Sequence, residues 1–129
     1  LSILIILLER SRQKLPQTEV THDPDLETFQ AFITQLENHF RVEHSVSFYA
    51  EQIHMTPRQL SDIVKRCTGK TAKALILERV ILEAKRHLQH SNASIKEIAY
   101  ALGFKDSSYF SKVFKQAAGV SPNQYQIEL

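Results

Sequence analysis

Residues 99–110 read AYALGFKDSSYF, and Gly103 in the middle of them decides the fold. Apolar residues on both sides recur at helical spacing, so the glycine stands between two helices. Ser94, with Glu97 three residues on, forms a capping box that opens the first helix, which runs to Leu102 and ends at Gly103. Asp106 caps the second, whose expected buried stripe is Phe110, Val113, Phe114 and Ala117 and which stops near Gly119. Two short helices folded on one another through a three-to-four-residue turn make a helix-turn-helix, and the residue that ends the first helix needs a positive φ. Glycine meets that need.

The same pattern occurs once before. Thr56-Pro57-Arg58-Gln59 is another capping box, opening a helix expected to bury Leu60, Ile63, Val64 and Cys67 and to end near Gly69. A short helix over 47–53 precedes it. Ala50 pairs with Ala99, Ile53 with Leu102 and Met55 with Phe104 at an offset of 49 residues, while Leu60 with Phe110, Lys65 with Lys115 and Gly69 with Gly119 pair at 50. One residue has been added in the second turn of an internal repeat. His54 takes the place of Gly103 in the first copy, and histidine is tolerated in the left-handed region. Between the copies, Thr71 caps a long helix to about Gln89, rich in Leu, Ile and Val on more than one face and therefore largely enclosed.

Elsewhere, Asp23-Pro24 begins an amphipathic helix carrying Leu26, Phe29, Ile33, Leu36 and Phe40, and Ser121-Pro122 begins a last short helix carrying Tyr125. About seven helices in an all-α fold result, in keeping with three glycines and four prolines in 129 residues. One cysteine excludes a disulfide framework. The apolar run LSILIILL at 1–8 is too short to cross a bilayer and lacks the flanks of a signal peptide. With Leu1 first and Met55 the one methionine, residues 1–22 read as the end of an upstream domain plus a linker, and residues 23–129 as the domain proper.

The formal net charge of +2 conceals an asymmetry: residues 1–45 carry −3 and residues 46–129 carry +5. A basic segment of that kind suits a polyanion. Opposite its buried stripe, the first repeat's second helix presents Arg58, Asp62 and Lys65, and the second repeat's presents Ser108, Lys112 and Lys115, with Ser61, Ser107 and Ser111 beside them. Short hydroxyls and long cations are what base edges and phosphates call for. One such face alone reads as a solvated helix surface; two with matched turns read as DNA-binding faces. His87 and His90 have no nearby cysteine or carboxylate cluster, so no metal site is assigned, and Cys67 reads as core. No phosphate-cradling loop or acid/base constellation is present, so neither an enzymatic activity nor a cofactor is expected.

The stretch IKEIAYALGFKDSSYFSKVFKQAAGVSPNQY, with Ile98-Ala99, Gly103-Phe104, Tyr109-Phe110-Ser111, Phe114-Lys115, Gly119 and Ser121-Pro122 to Tyr125, resembles the C-terminal DNA-binding domain of the AraC family of bacterial transcription regulators. The likeness extends over roughly residues 29–125. It implies two helix-turn-helix units, about 46–69 and 94–119, joined by a linking helix of about 71–89 and no enzymatic activity. Such a linker is about 28 Å long, near the roughly 34 Å between successive major-groove faces. The resemblance makes Arg58, Ser61, Asp62, Ser107, Ser108, Ser111 and Lys112 base-facing, and gives Lys65, Lys115, Thr56 and Lys105, with the amides at the helix starts, to phosphates. The chain departs from the family pattern at Asp62, where Arg is common, and at Val64, Val80 and Gln126. The resemblance also implies a cytoplasmic, nucleoid-associated regulator, with RNA polymerase and a second copy, joined through the upstream sensing domain, as further partners and no membrane. The competing class is a helical protein-interaction module, whose exposed faces would be filled by aromatic anchors.

Overall fold

The computed structural model describes residues 23–129, and the expected upstream remnant and linker at 1–22 lie outside the described residues. Seven helices follow one another: α1 (Pro24–His39), α2 (Val46–Gln52), α3 (Pro57–Thr68), α4 (Ala72–His90), α5 (Ile95–Ala101), α6 (Ser107–Ala118) and α7 (Pro122–Glu128). Each starts where a short polar side chain can take up a backbone N–H that the helix itself leaves unpaired. Asp23 accepts from Asp25 and Leu26, Ser45 from Phe48, Thr71 from Ala74, Asp106 from Ser108 and Ser121 from Gln124. At Thr56/Gln59 and Ser94/Glu97 the exchange is reciprocal, so both expected capping boxes form.

The interior is one apolar cluster. Phe32, Leu36, Tyr49, Leu60 and Val64 fill the first unit, and Ile98, Leu102, Phe110 and Phe114 fill the second, with Ile76 and Val80 of α4 between. Burying each such side chain contributes about 1.5–3 kcal/mol. Rings meet edge-on where they can: Phe32 with Tyr49 at 5.7 Å, and Phe114 with Tyr125 at 5.5 Å. The small Ala50 and Ala99 are fully buried at matching positions. Helix α4 packs against α2 and α3 on one side and α5, α6 and α7 on the other, which is why it is apolar on several faces.

Both inter-helix turns take the expected left-handed conformation, His54 at φ 60° and Gly103 at φ 85°. Three expectations of burial fail: Ile63 is only half-buried and lines an open groove, and two more fail at helix ends. Cys67 points along the same face as Leu60 but is exposed, at the end of α3 beside the start of α1, where the thiol lies 3.8 Å from the Asp25 carbonyl. Ala117 is likewise exposed, while Ala118 packs against the core.

One buried charge escapes a reading based on apolar periodicity. Arg79, 4% exposed on α4, donates to Glu37 of α1 at 2.6 and 3.3 Å and to Glu83 at 3.5 Å. Its guanidinium lies 3.9 Å from the centroid of the Phe40 ring. This pairing ties α1 to the linking helix, and removing one partner would leave a buried charge at a cost of about 3–5 kcal/mol.

Candidate nucleic-acid interface

Helices α3 and α6 carry the candidate residues on the faces turned from the core. Arg58, Asp62 and Lys65 are exposed on α3, with Ser61 half-buried beside them; Ser108, Lys112 and Lys115 are exposed on α6, with Ser107 and Ser111 half-buried. In each helix the three-to-four-residue spacing keeps these groups on one arc, opposite Leu60 and Val64 in α3 and Phe110, Val113 and Phe114 in α6. Both helices end on a left-handed glycine whose N–H reaches the carbonyl of the matching lysine, Gly69 to Lys65 and Gly119 to Lys115, each at 2.9 Å. The two cations therefore occupy equivalent places in the last turn.

At the helix starts the hydrogen bonding limits what a phosphate can find. The Thr56 amide donates to Gln59 Oε1 at 2.9 Å, and the Thr56 hydroxyl oxygen accepts from the Gln59 amide at 3.1 Å. Thr56 can thus offer a phosphate its hydroxyl proton rather than its amide. In α6 the Asp106 carboxylate takes the Ser108 amide at 2.9 Å. Lys105, exposed just before it, is the cation at that end.

Sequence reasoning missed three features of these faces. Tyr109 is 52% exposed on α6, its ring 6.0 Å from that of Phe104; its place outside the 110/113/114 stripe was the available signal. Asp62 also borders an open groove of about 430 Å³, which it lines with His54, Met55, Gln59, Ile63 and Arg66. Arg66 itself is held from the other side by Asp25, at 2.9 and 3.3 Å, which lowers the Asp25 pKa and raises that of Arg66. Partial burial, with Asp25 and Asp23 nearby, raises the pKa of the Cys67 thiol, so this cysteine is not set up as a nucleophile.

A family model described as a helix-turn-helix domain matches residues 49–127, which takes in both turns and both candidate helices. The chain belongs to the AraC family. The HTH-type transcriptional activator RhaS of Pectobacterium atrosepticum is 34% identical to this AraC-family chain over 121 residues, covering 94% of the chain and 43% of that relative. The chain therefore spans less than half the length of the curated relative. Among solved structures, the C-terminal domain of AraT, a response regulator from Geobacillus stearothermophilus, superimposes with a TM-score of 0.74 at 30% identity, over 83% of this chain and 87% of that one. The DNA-binding domain of AdpA, a global transcriptional factor solved in complex with a target DNA, shares the fold with a TM-score of 0.69 at 24% identity, over 83% and 93% of the two chains.

Proposed function

We propose that residues 23–129 are the DNA-reading part of a bacterial transcription regulator, with α3 and α6 entering adjacent major-groove segments on one side of a duplex. The observation that carries this reading is the duplication. Two helices that each follow a left-handed turn residue and end on a left-handed glycine bonded to the matching lysine carbonyl expose a polar, cation-bearing arc, and one α-helix is what a major groove admits. Linking helix α4 has 19 residues and so is about 28 Å long, in the range needed to hold two such helices a helical turn apart. Membership of a family whose relatives are named as transcriptional activators, and the sharing of a fold with AdpA, support it.

Within this reading Arg58, Ser61, Asp62, Ser107, Ser108, Ser111 and Lys112 face bases. Lys65, Lys105 and Lys115, with the Thr56 hydroxyl, face phosphates. A domain upstream of residue 23 supplies effector sensing and dimerisation, and RNA polymerase receives the output. The test is duplex binding as a function of salt. Three phosphate-neutralising lysines give a slope of about −3 in log affinity against log salt. Binding that ignores salt would refute the assignment.

A further inference from the structure

The two units are joined by more than the linking helix. Chain leaving the end of α1 crosses to the turn of the second unit: a Cβ on Gly103 would stand 2.7 Å from the Arg41 carbonyl oxygen and 3.1 Å from the Val42 Cα, so the two backbones touch. Two residues further on, the His44 ring packs on Phe104 at 4.8 Å between centroids. Its Nε2 lies 3.1 Å from the Phe40 carbonyl, and the Leu102 backbone is its other hydrogen-bonding neighbour. Arg41 then reaches Glu83 of α4 at 3.4 Å and covers the Phe40 ring at 4.4 Å, the ring on whose other contact Arg79 sits.

First-unit loop, second-unit turn and linking helix thus close a triangle. A single helix between two bodies leaves them free to bend and rotate about its ends, whereas a second, separate contact removes that freedom. From this we infer that the Phe40–His44 loop is a brace, with His44 and Arg41 as positioning residues that set the distance and rotation between α3 and α6 and so make DNA recognition selective for the spacing between two base blocks. The inference rests on the proposal that both helices enter the groove. It also explains the glycine at 103 more fully than the turn does: His54, at the matching place in the first unit, has a side chain in the same left-handed conformation, but at Gly103 any side chain would meet the loop.

Each inserted base pair rotates one block against the other by about 35°. A braced protein cannot follow, and a loosened one can. The spacing test uses the full chain and duplexes carrying its selected site with zero, one or two base pairs added between blocks. The chain with its brace intact is expected to lose about tenfold or more for one added pair, a loss on the scale of mismatching a block. His44→Ala and Arg41→Ala are expected to reduce that penalty to about threefold or less, without altering base preference inside either block. His44→Phe, which keeps the ring on Phe104, separates stacking from hydrogen bonding.

A second readout needs no DNA: spin labels on the native Cys67 of α3 and on Gln116→Cys of α6, both exposed positions, report the distance between the two helices. A narrow distribution that broadens in folded His44→Ala supports the brace. An equally narrow one in His44→Ala and Arg41→Ala, with unchanged spacing penalties, overturns it. Failure of the unaltered chain to prefer any spacing, despite a narrow distribution, would instead count against two inserted helices.

Discussion

At the scale of single residues, the two copies of one turn make opposite demands. His54 holds φ 60° with a full side chain beside an open groove, whereas Gly103 holds φ 85° under the Arg41 carbonyl. His54→Gly is expected to raise stability by about 0.5–1 kcal/mol, the relief of left-handed strain less the entropy that glycine adds to the unfolded chain. Gly103→Ala should lower it by more than about 2 kcal/mol, through strain and the backbone clash together; urea midpoints of the two variants measure both. His44 carries a pH dependence. Burial, the largest influence, pulls its pKa below 6.5 against the opposing Leu102 and Phe40 carbonyls and the Glu43 charge. The unfolded chain then takes the proton first, so this contribution is whole above pH 6.5 and is lost as pH falls through the lower folded value. Going from about pH 7.5 to about pH 5.5 should lower the urea midpoint of the unaltered chain more than that of His44→Phe; equal shifts would contradict the sign. Asp62 repels phosphates unless a base donates to it, cytosine N4 being the suitable donor. Asp62→Ala should therefore tighten binding to random duplexes while flattening preference at one position of the first block, as measured by competition binding. Unchanged affinity for both DNAs would mean that Asp62 serves only the groove it lines with Arg66.

At the scale of elements, the helices were legible because their starts are chemical. Thr56/Gln59 and Ser94/Glu97 are recognisable as pairs three apart, and the bonds they make lie within those few residues. The turns were legible for the same reason, through Gly103 and the pairing of His54 with it. What could not be read depends on distant chain. Arg79 looks like one more polar residue in an apolar helix until Glu37, 42 residues away, is placed against it. Cys67 and Ala117 satisfy the periodicity of their helices, yet periodicity says which way a side chain points and not whether core extends that far. Candidate contacts on α3 and α6 were legible as exposed arcs, and Tyr109's place outside the buried stripe pointed to its exposure, but nothing local placed Asp62 in a groove with His54 and Arg66. Within α6, Lys112 lies among the residues proposed to face bases and Lys115 in the last turn, four residues before Gly119. Lys112→Ala is expected to weaken one block of a selected site by about 1–3 kcal/mol, and Lys115→Ala to weaken all sequences alike and make the salt slope shallower by about 1. Binding assays on selected and random duplexes distinguish them. Loss of no base preference in Lys112→Ala would contradict the assigned face.

For the whole molecule, the arrangement of two units around α4 followed from the repeat and from the apolar character of the linking helix, but the contact of the Phe40–His44 loop with the second turn did not. A loop is positioned by what it touches, and here it touches residues about 60 positions away, with Gly103 the one sign that space was short. The resulting body has one continuous core, so the two polar arcs are presented together. Such a body should read DNA as a single object with two contact points. Selection of bound duplexes from a random pool by the full chain, followed by sequencing, tests this most directly: two conserved blocks, centre to centre about 10 base pairs apart, are expected, and a single short block, or two blocks at freely varying separation, would contradict it.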